Sequence, residues 1–290
     1  MSAEHPIIAV TGSSGAGTTT VKSAFDRIFE REGIRAAVIE GDSFHRYNRS
    51  EMMQAQARAQ AEGRRITHFG PEGNLFDALQ ALFQEYAEHG SGRRRHYLHT
   101  EADALAAGHP PGTFTPWEPL PGGTDLLLYE GLHGGLVTAE YNIPAWVDLL
   151  IGVVPIVNLE WIQKMHRDRA VRGYSVEAAM RLILFRMYDY VNYIVPQFSL
   201  TDVNFQRVPL VDTSNPFASE HIPTNAESVW VIHVRNQQRM LVDFEQLLNQ
   251  IPGSYLSRVN TVVVPGGRGA QAMDFIITPE VRRLMVGRRA

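Results

Sequence analysis

The chain has 290 residues, of which 44% are hydrophobic, and a formal net charge of -4. This length suits one large α/β domain or two small ones, and the acidic charge argues against broad binding to nucleic acid or to acidic membranes. The sequence contains no cysteine, which excludes disulfides, thiol catalysis and thiol redox switches. No apolar stretch reaches membrane-spanning length and the N-terminus shows no secretory signal pattern, so we expect a soluble cytoplasmic protein.

A glycine-rich loop follows the first apolar run of the chain. Residues 6–10 are typical of a buried strand, and residues 21–32 have the apolar spacing of an amphipathic helix. Small residues between a strand and a helix let backbone N–H groups surround an anion at the positive end of the helix dipole. An ordinary strand-to-helix turn is the alternative, but the context favours phosphate binding. The predicted phosphate-binding residues are Gly12, Ser13, Ser14, Gly15, Ala16, Gly17, Thr18, Thr19 and Thr20.

Two positions of this loop are informative about its chemistry. Gly12 and Gly17 have the G-x-x-x-x-G spacing of a phosphate-binding loop, and Thr19 stands where a magnesium-binding hydroxyl belongs. Thr18 occupies the position that is usually a lysine. A phosphate loop without its lysine needs positive charge from elsewhere in the chain.

A second buried strand is predicted at residues 36–40, and Asp42 follows it in a turn. We expect Asp42 and Gly12 to lie at equivalent ends of two neighbouring strands, where sites of open α/β sheets gather. Asp42 could remove a proton from an acceptor hydroxyl or help to hold a metal, although Gly-Asp-Ser is also ordinary turn chemistry. If residues 43–50 are partly helical, His45 and Arg49 share a face with Asp42. One carboxylate with two cationic groups suits a phosphorylated acceptor.

The next segments are two predicted helices and an irregular region. Residues 50–62 are predicted to form a helix with Ser50 as its N-cap, and residues 74–89 an amphipathic helix. Residues 90–123 indicate short antiparallel strands and loops. That region carries a run of three arginines, residues 93–95, followed by Tyr97 and His99. The run is interpreted as part of a sugar-phosphate pocket or as plain surface, in preference to RNA binding.

Two further strands are predicted at residues 125–131 and 147–154. Glu130 follows three leucines and a tyrosine near the end of the first of them. This is where the metal-binding acid of a phosphate-loop protein sits, so we interpret Glu130 as a magnesium ligand. A solvent-facing carboxylate at a strand end is the alternative.

A dense group of charges ends the helix predicted at residues 159–172. It includes Lys164, Arg167, Asp168 and Arg172, and Gly173 is predicted as the C-cap. Such a segment can act as a lid whose cations neutralise phosphate oxygens, although a solvated surface is the common alternative. Another helix is predicted at residues 176–195, with Ser175 as its N-cap.

The remainder of the chain returns to β patterns. Strands are predicted at residues 208–212, 229–234 and 261–264, with a helix at residues 244–248. We therefore predict a single α/β domain over residues 1–290, with a mixed sheet flanked by helices.

The chain resembles the phosphoribulokinases of the bacterial type nearly from end to end. The most specific part is Lys164-Met165-x-Arg167-Asp168-x-x-x-Arg172-Gly173-x-Ser175-x-Glu177, supported by residues 12–19, 41–46, 99–119 and 129–133. The resemblance implies a P-loop kinase fold of the nucleoside-monophosphate-kinase type. It also implies transfer of phosphate from ATP, with Mg2+, to the 1-hydroxyl of ribulose 5-phosphate.

The resemblance also implies roles for individual residues. Asp42 looks like the catalytic base, and Asp168 like another catalytic acid. Lys164 and Arg167 look like groups that stabilise the transferred phosphate, and Glu130 like a metal ligand. The sugar phosphate would be bound by His45, Arg49 and Arg172.

The regulation that the resemblance implies differs from that of the plant-type enzymes. Those use cysteines as a redox switch, whereas Ala16 stands at the corresponding loop position here and thioredoxin control is excluded. Bacterial relatives are homo-oligomers, commonly octamers, activated by NADH and inhibited by AMP, so the same is expected here. A uridine-kinase-like enzyme and a nucleotide-binding regulator without catalysis are the alternatives, the second suggested by Thr18.

Overall fold

The computed structural model describes residues 4–13, 18–237, 239–240 and 242–289. Its strands, in chain order, are β1 (Ile7–Gly12), β2 (Ala36–Glu40), β3 (Arg93–Arg94), β4 (Glu118–Pro119), β5 (Leu126–Gly131), β6 (Leu149–Val154), β7 (Val203–Pro209), β8 (Ser228–Val234), β9 (Tyr255–Arg258) and β10 (Thr261–Pro265). Its α-helices are α1 (Thr18–Glu32), α2 (Arg49–Ala61), α3 (Phe76–His89), α4 (Glu101–Ala107), α5 (Val157–Arg172), α6 (Val176–Asp189), α7 (Phe244–Gln250) and α8 (Gly269–Arg289).

Within the described residues, one mixed sheet has eight strands in the order β2-β5-β1-β6-β7-β8-β10-β9. The first five strands of this order run parallel, and β8, β10 and β9 are joined antiparallel. β3 and β4 form a separate antiparallel ribbon. The predicted mixed sheet flanked by helices is therefore confirmed.

The central strand β1 contributes to two cores because alternate side chains of a strand point to opposite faces. Ile8 and Val10 are buried in a cluster with the apolar faces of α1 and α8. Ile7 and Ala9 are buried on the other face, in a cluster with α3. Helices thus cover both faces of the parallel strands, as near-continuous apolar strands require.

The spatial order of the strands corrects one expectation. β2 and β1 were predicted to be neighbours, but β5 lies between them. In register, Glu130 of β5 is opposite Glu40 on one side and Val10 on the other. The strand that carries the predicted metal ligand therefore separates the phosphate loop from Asp42. Neighbouring strands lie about 4.8 Å apart, which places the ends of β1 and β2 roughly 10 Å from each other.

Several predicted boundaries were wrong. The N-cap of α2 is Asn48 and not Ser50, because the Asn48 side chain and Glu51 form a reciprocal capping box. The α-helix predicted to reach residue 195 ends at Asp189. A π-helical turn and a 3-10 helix follow it in the chain. β7 covers residues 203–209 where residues 208–212 were predicted.

Some elements were absent from the sequence-based prediction. They are α4, β9 and the 21-residue α8, which contains Pro279 in its interior. A proline inside a helical pattern ordinarily indicates a break in the helix. α8 nevertheless continues past Pro279, and its apolar residues pack in one buried cluster with those of α1. Among the described residues, no helix combines the length and apolar character that crossing a bilayer would require.

Candidate active site

The end of β1 is where the predicted phosphate loop begins. Gly12 is the last residue of β1, and Ser13 follows it with a fully buried side chain. α1 begins at Thr18, so the strand and helix predicted to flank the loop are both present. Outside the described residues lie Ser14, Gly15, Ala16 and Gly17, together with the side chains of Thr18 and Thr19. Contacts between this loop and phosphate stay a prediction.

A buried glutamine fixes the strand edge beneath this loop. The hydroxyl of Thr11 and the N–H of Gly135 both donate to Oε1 of Gln197, at 2.7 and 2.9 Å. Nε2 of Gln197 donates to the carbonyls of Leu132 and Tyr193, at 2.8 and 2.6 Å. Gln197 is 1% exposed, so these bonds lie in a low-dielectric environment where they are strong. They join β1, the turn after β5 and the segment that follows α6.

Asp42 lies in a 3-10 helix, Gly41–Phe44, directly after β2. Its Oδ1 is 3.5 Å from Nε2 of His45, and its Oδ2 is 3.4 Å from Nε2 of His99. The Asp42 side chain remains 40% exposed, so a ligand can still reach the carboxylate. A carboxylate that two imidazoles orient, and that stays accessible, is suited to accept a proton from an alcohol.

The predicted helical face shared by Asp42, His45 and Arg49 was wrong. The chain is extended at His45, with φ -61° and ψ 138°, and a new helix begins at Arg49. The three residues are brought together instead by His99. Its ring approaches Asp42, and its carbonyl accepts a hydrogen bond of 3.3 Å from Nη2 of Arg49. His99, from the irregular region of residues 90–123, therefore contributes to the pocket.

Three histidines lie near Asp42: His45 and His133 are buried and His68 is half-buried. The rings of His45 and His68 have centroids 4.2 Å apart. Burial, with the charges of neighbouring cations, lowers the pKa of His45 and that of His68 to about 3 each. Burial likewise lowers the pKa of His133 to about 4. His45 is therefore neutral at physiological pH, and it would bind a phosphate by a hydrogen bond and not by the positive charge that the sequence analysis assumed.

α5 carries a buried cation and a buried acid one turn apart. The Lys164 ammonium is bonded to the carboxylate of Asp168, which is fully buried, and Lys164 is itself only 9% exposed. Nε of Arg167 lies 3.8 Å from the same carboxylate. Burial lowers the pKa of Lys164 to about 8, and the charge of Arg186 acts in the same direction. A solvated surface therefore does not describe Lys164 and Asp168, whereas the Arg167 side chain is exposed.

The C-terminal end of α5 agrees with its sequence signals. Gly173 adopts the left-handed conformation, with φ 65°, and is the C-cap. The hydroxyl of Ser175 accepts a 3.2 Å hydrogen bond from the N–H of Ala178 and caps α6. Both caps are confirmed. Arg172 is the last residue of α5, but its side chain lies outside the described part of the chain, so its contact with a sugar phosphate stays a prediction.

Sequence reasoning missed Arg186, a residue of α6. Its guanidinium lies over the ring of Phe69, 5.8 Å from the centroid. Its charge lowers the pKa of His45, His68 and Lys164, so it acts both on these two histidines and on α5. Nothing in the sequence distinguishes this arginine from others on helix faces, because its position depends on the packing of α6 against the turn at Phe69.

Glu160 is a second residue that sequence reasoning missed. It lies on α5 one turn before Lys164, is 8% exposed, and accepts a 3.5 Å hydrogen bond from the hydroxyl of Tyr190. Burial raises the pKa of Glu160 to about 7, against the effect of the adjoining side chains of Ser13 and Tyr190. A carboxyl that is half protonated near neutral pH therefore lies beside the start of the phosphate loop.

The donors available for a magnesium ion are few. Across the part of the chain that the structure describes, no group of three or more histidine, aspartate or glutamate side chains is arranged to hold a metal. Mg2+ is commonly bound by one or two carboxylates together with substrate phosphates and water. Glu130, half-buried at the end of β5 between β1 and β2, fits that pattern.

Transfer of a phosphoryl group to an alcohol requires a phosphate-binding loop and a proton acceptor at the same sheet edge. The phosphate loop itself has no lysine, and Lys164 lies buried on α5 against Asp168. The fold and the site together define a P-loop kinase of the α/β class.

Comparison with known proteins makes the assignment more specific. The chain belongs to the phosphoribulokinase / uridine kinase family, whose model matches residues 7–214. It is 58% identical to the plasmid-encoded phosphoribulokinase of Cupriavidus necator, over 100% of this chain and 99% of that protein. It is 56% identical to the probable phosphoribulokinase of Escherichia coli K12, with the same coverage.

A solved structure agrees with these relatives over the whole chain. The phosphoribulokinase from Rhodobacter spheroides is 51% identical and covers 100% of both chains, with a TM-score of 0.92. The resemblance stated from the sequence and the predicted kinase fold are thus confirmed. The family makes this chain a phosphotransferase.

Proposed function

We propose that this chain transfers the γ-phosphoryl group of ATP to the 1-hydroxyl of D-ribulose 5-phosphate. The product is ribulose 1,5-bisphosphate, the carbon dioxide acceptor of the Calvin cycle. One observation carries the proposal: the accessible carboxylate of Asp42 is held between His45 and His99 at the sheet edge that also carries the phosphate loop. Similarity at 58% identity to proteins named phosphoribulokinase supports the choice of sugar phosphate.

Asp42 accepts the proton of the 1-hydroxyl as that oxygen attacks the γ-phosphorus. His45 and His99 orient the carboxylate, one on each oxygen. A base placed within hydrogen-bond reach of the alcohol typically contributes about 10²–10⁴-fold to the rate. The orientation of Asp42 therefore matters as much as its presence.

Lys164 and Arg167 supply positive charge over the transferred group, in place of the loop lysine that Thr18 replaces. Asp168 holds the Lys164 ammonium in one position, because the two side chains are bonded in a buried environment. Preorganised charge of this kind is effective because it needs no reorganisation during the reaction. Glu130 and the Thr19 hydroxyl would hold Mg2+, which when bound offsets charge on the ATP phosphates.

The 5-phosphate of the sugar is bound by Arg49 and Arg172, with a hydrogen bond from neutral His45. Arg49 is the first residue of α2, so an anion there also meets the positive end of that helix. A phosphorylated acceptor therefore fits this pocket better than a neutral nucleoside does.

An acceptor screen tests the proposal. The purified protein would be given ATP, Mg2+ and, in separate reactions, ribulose 5-phosphate, ribulose, ribose 5-phosphate or uridine, and ADP release would be measured. We expect turnover with ribulose 5-phosphate only, and phosphorus NMR of the product should show two phosphomonoesters. Phosphorylation of uridine without that of ribulose 5-phosphate would instead make the chain a nucleoside kinase. ADP release with no acceptor would contradict both.

Activation by NADH, inhibition by AMP and assembly into a homo-oligomer, as large as an octamer, belong to the same proposal. Adding NADH or AMP to the assay of ADP release tests the activation and the inhibition. Size-exclusion chromatography with light scattering tests the assembly. An unchanged rate with both nucleotides would remove the regulatory part while leaving the reaction in place.

A further inference from the structure

Arg95 makes two hydrogen bonds to the backbone of the segment that carries Asp42. Its Nε donates to the carbonyl of Ser43 at 2.8 Å, and its Nη2 donates to the carbonyl of His45 at 2.6 Å. The carbonyl between them, that of Phe44, accepts from the N–H of Leu75 at 2.8 Å. Three consecutive carbonyls are thus satisfied, two of them by one guanidinium.

These carbonyls need partners because a 3-10 helix ends at Phe44. The last carbonyls of a helix have no partner within it, and a cation is favourable at that end. The N–H of His45 bonds back to the carbonyl of Asp42 and leaves the following carbonyls to other donors. Arg95 therefore terminates this short helix in place of a cap within the helix itself.

Aromatic rings hold the guanidinium of Arg95 in place. Its central carbon lies 3.7 Å from the ring centroid of Phe114 and 4.9 Å from that of Trp117. Trp117 in turn contacts Phe44 edge to face, with centroids 5.6 Å apart. Arg95 is half-buried, and this burial lowers its pKa. Its interactions with rings and carbonyls are stronger where water is partly excluded.

Arg95 belongs to the same segment as His99, the residue whose ring lies 3.4 Å from Asp42. The bonds from Arg95 to Ser43 and His45 therefore determine two things together: where the Asp42 turn lies, and where residues 95–99 pass over it. Breaking them would release the carboxylate from its backbone support and from one of its imidazoles.

We infer that Arg95 is a positioning residue that acts through Asp42 by fixing the backbone at Ser43 and His45. The inference rests on the proposed function, because it concerns the base of that reaction. It requires a planar group with two divergent donors and a face that stacks, which lysine does not provide. A displacement of about 1 Å at a reacting group can cost about 10²-fold in rate, so the effect should be large.

The test compares Arg95→Met, Arg95→Lys and Arg94→Met in the full chain, with ribulose 5-phosphate as acceptor. Arg94 is a matched control, since it is the last residue of β3, directly before Arg95, and pairs with Glu118 at 3.0 Å. We expect both Arg95 variants to lose about 10²-fold in kcat. The KM for ATP should stay within about twofold, because the phosphate loop follows a different strand, and Arg94→Met should match the wild type.

A double-mutant cycle with Asp42→Ala separates positioning from general damage to the structure. If Arg95 acts through Asp42, Arg95→Met causes no further loss of kcat in the Asp42→Ala background. The full loss repeated in that background would overturn the inference, as would kcat of Arg95→Met within about twofold of the wild type. Arg95→Lys keeps the charge and stem, so its kcat decides the matter if Arg95→Met does not fold.

Failure of the inference can be told apart from failure of the proposed function. A wild-type chain that does not phosphorylate ribulose 5-phosphate refutes the function, and the same variants are then compared on the acceptor that it does phosphorylate. An active wild type with unimpaired Arg95 variants refutes the inference alone.

Discussion

Gly41 and Gly131 pack Cα against Cα beneath the hydroxyl of Tyr129. A methyl group on Gly41 would lie 2.6 Å from that hydroxyl oxygen and 2.8 Å from the Cα of Gly131. A methyl group on Gly131 would lie 2.7 Å from the Cα of Gly41. Only glycine permits this approach, which brings the turn of Asp42 close to the end of the strand that carries Glu130.

Gly41→Ala should therefore disturb both stability and catalysis. The added methyl forces the ends of β2 and β5 apart, at a cost of about 1–3 kcal/mol in the free energy of unfolding. It should also lower kcat, because Asp42 is the next residue. Urea unfolding and steady-state assays measure the two effects. Gly122→Ala is the control, since nothing lies within 4 Å of its added methyl; equal behaviour of the two variants would contradict the prediction.

Asp42→Asn should lower kcat by about 10²–10⁴-fold while leaving the KM for ribulose 5-phosphate nearly unchanged. Asparagine keeps the shape of the side chain but has one oxygen where the carboxylate has two. It therefore keeps only one oxygen contact with the imidazoles of His45 and His99, and it cannot take up the proton. Asp77→Asn, at an exposed position in the first turn of α3, serves as the control and should keep wild-type turnover. A loss confined to KM would instead make Asp42 a binding residue only.

Lys164→Met should reduce turnover by orders of magnitude and leave ATP binding mostly intact. In the proposed mechanism, Lys164 supplies positive charge over the transferred phosphoryl group because Thr18 supplies none. Equilibrium binding of ATP and kcat measure the two properties separately. Lys22 provides a matched control, as a half-buried lysine paired with Glu40 at 3.3 Å, and Lys22→Met should have normal turnover. Near-normal turnover of Lys164→Met would mean that another group replaces the loop lysine.

Glu160→Gln should change the dependence of stability on pH. The pKa of Glu160 is about 7 in the folded chain and near 4.5 in the unfolded chain. The folded state therefore binds the proton more tightly than the unfolded state does. The resulting contribution to the free energy of unfolding is fully present below about pH 4.5 and is lost as the pH rises through 7. The variant lacks that loss, so its Tm should rise relative to the wild type between pH 5 and pH 8. The exposed Glu245→Gln should show no such trend; parallel Tm profiles for Glu160→Gln would contradict the prediction.

The sequence predicted local elements well where their signals are local. β2 was predicted at residues 36–40 and is found there, because four apolar or small residues are bounded by a turn. The caps Gly173 and Ser175 were recognised because each acts within one turn of its own helix. Asp42, Glu130 and the phosphate loop were assigned to strand ends for the same reason.

Other features depend on contacts between distant parts of the chain. The position of β5 between β1 and β2 cannot be derived from strand patterns, since strands adjacent in sequence are usually neighbours. Arg95 bonds to residues about fifty positions earlier, and Arg186 approaches His45 through the packing of α6. The neutrality of His45 follows from burial, which a single sequence does not show.

The place of β5 in the sheet also has a consequence for the order in which the chain folds during synthesis. β1 and β2 are both made early, yet neither can pair with the other, because the strand that joins them is translated only after residue 125. At roughly 5–20 residues per second, the two apolar strands wait several seconds without their partner. The nascent chain thus leaves the ribosome with unpaired strand edges, and folding at this edge of the sheet cannot finish until the segment bearing Glu130 emerges.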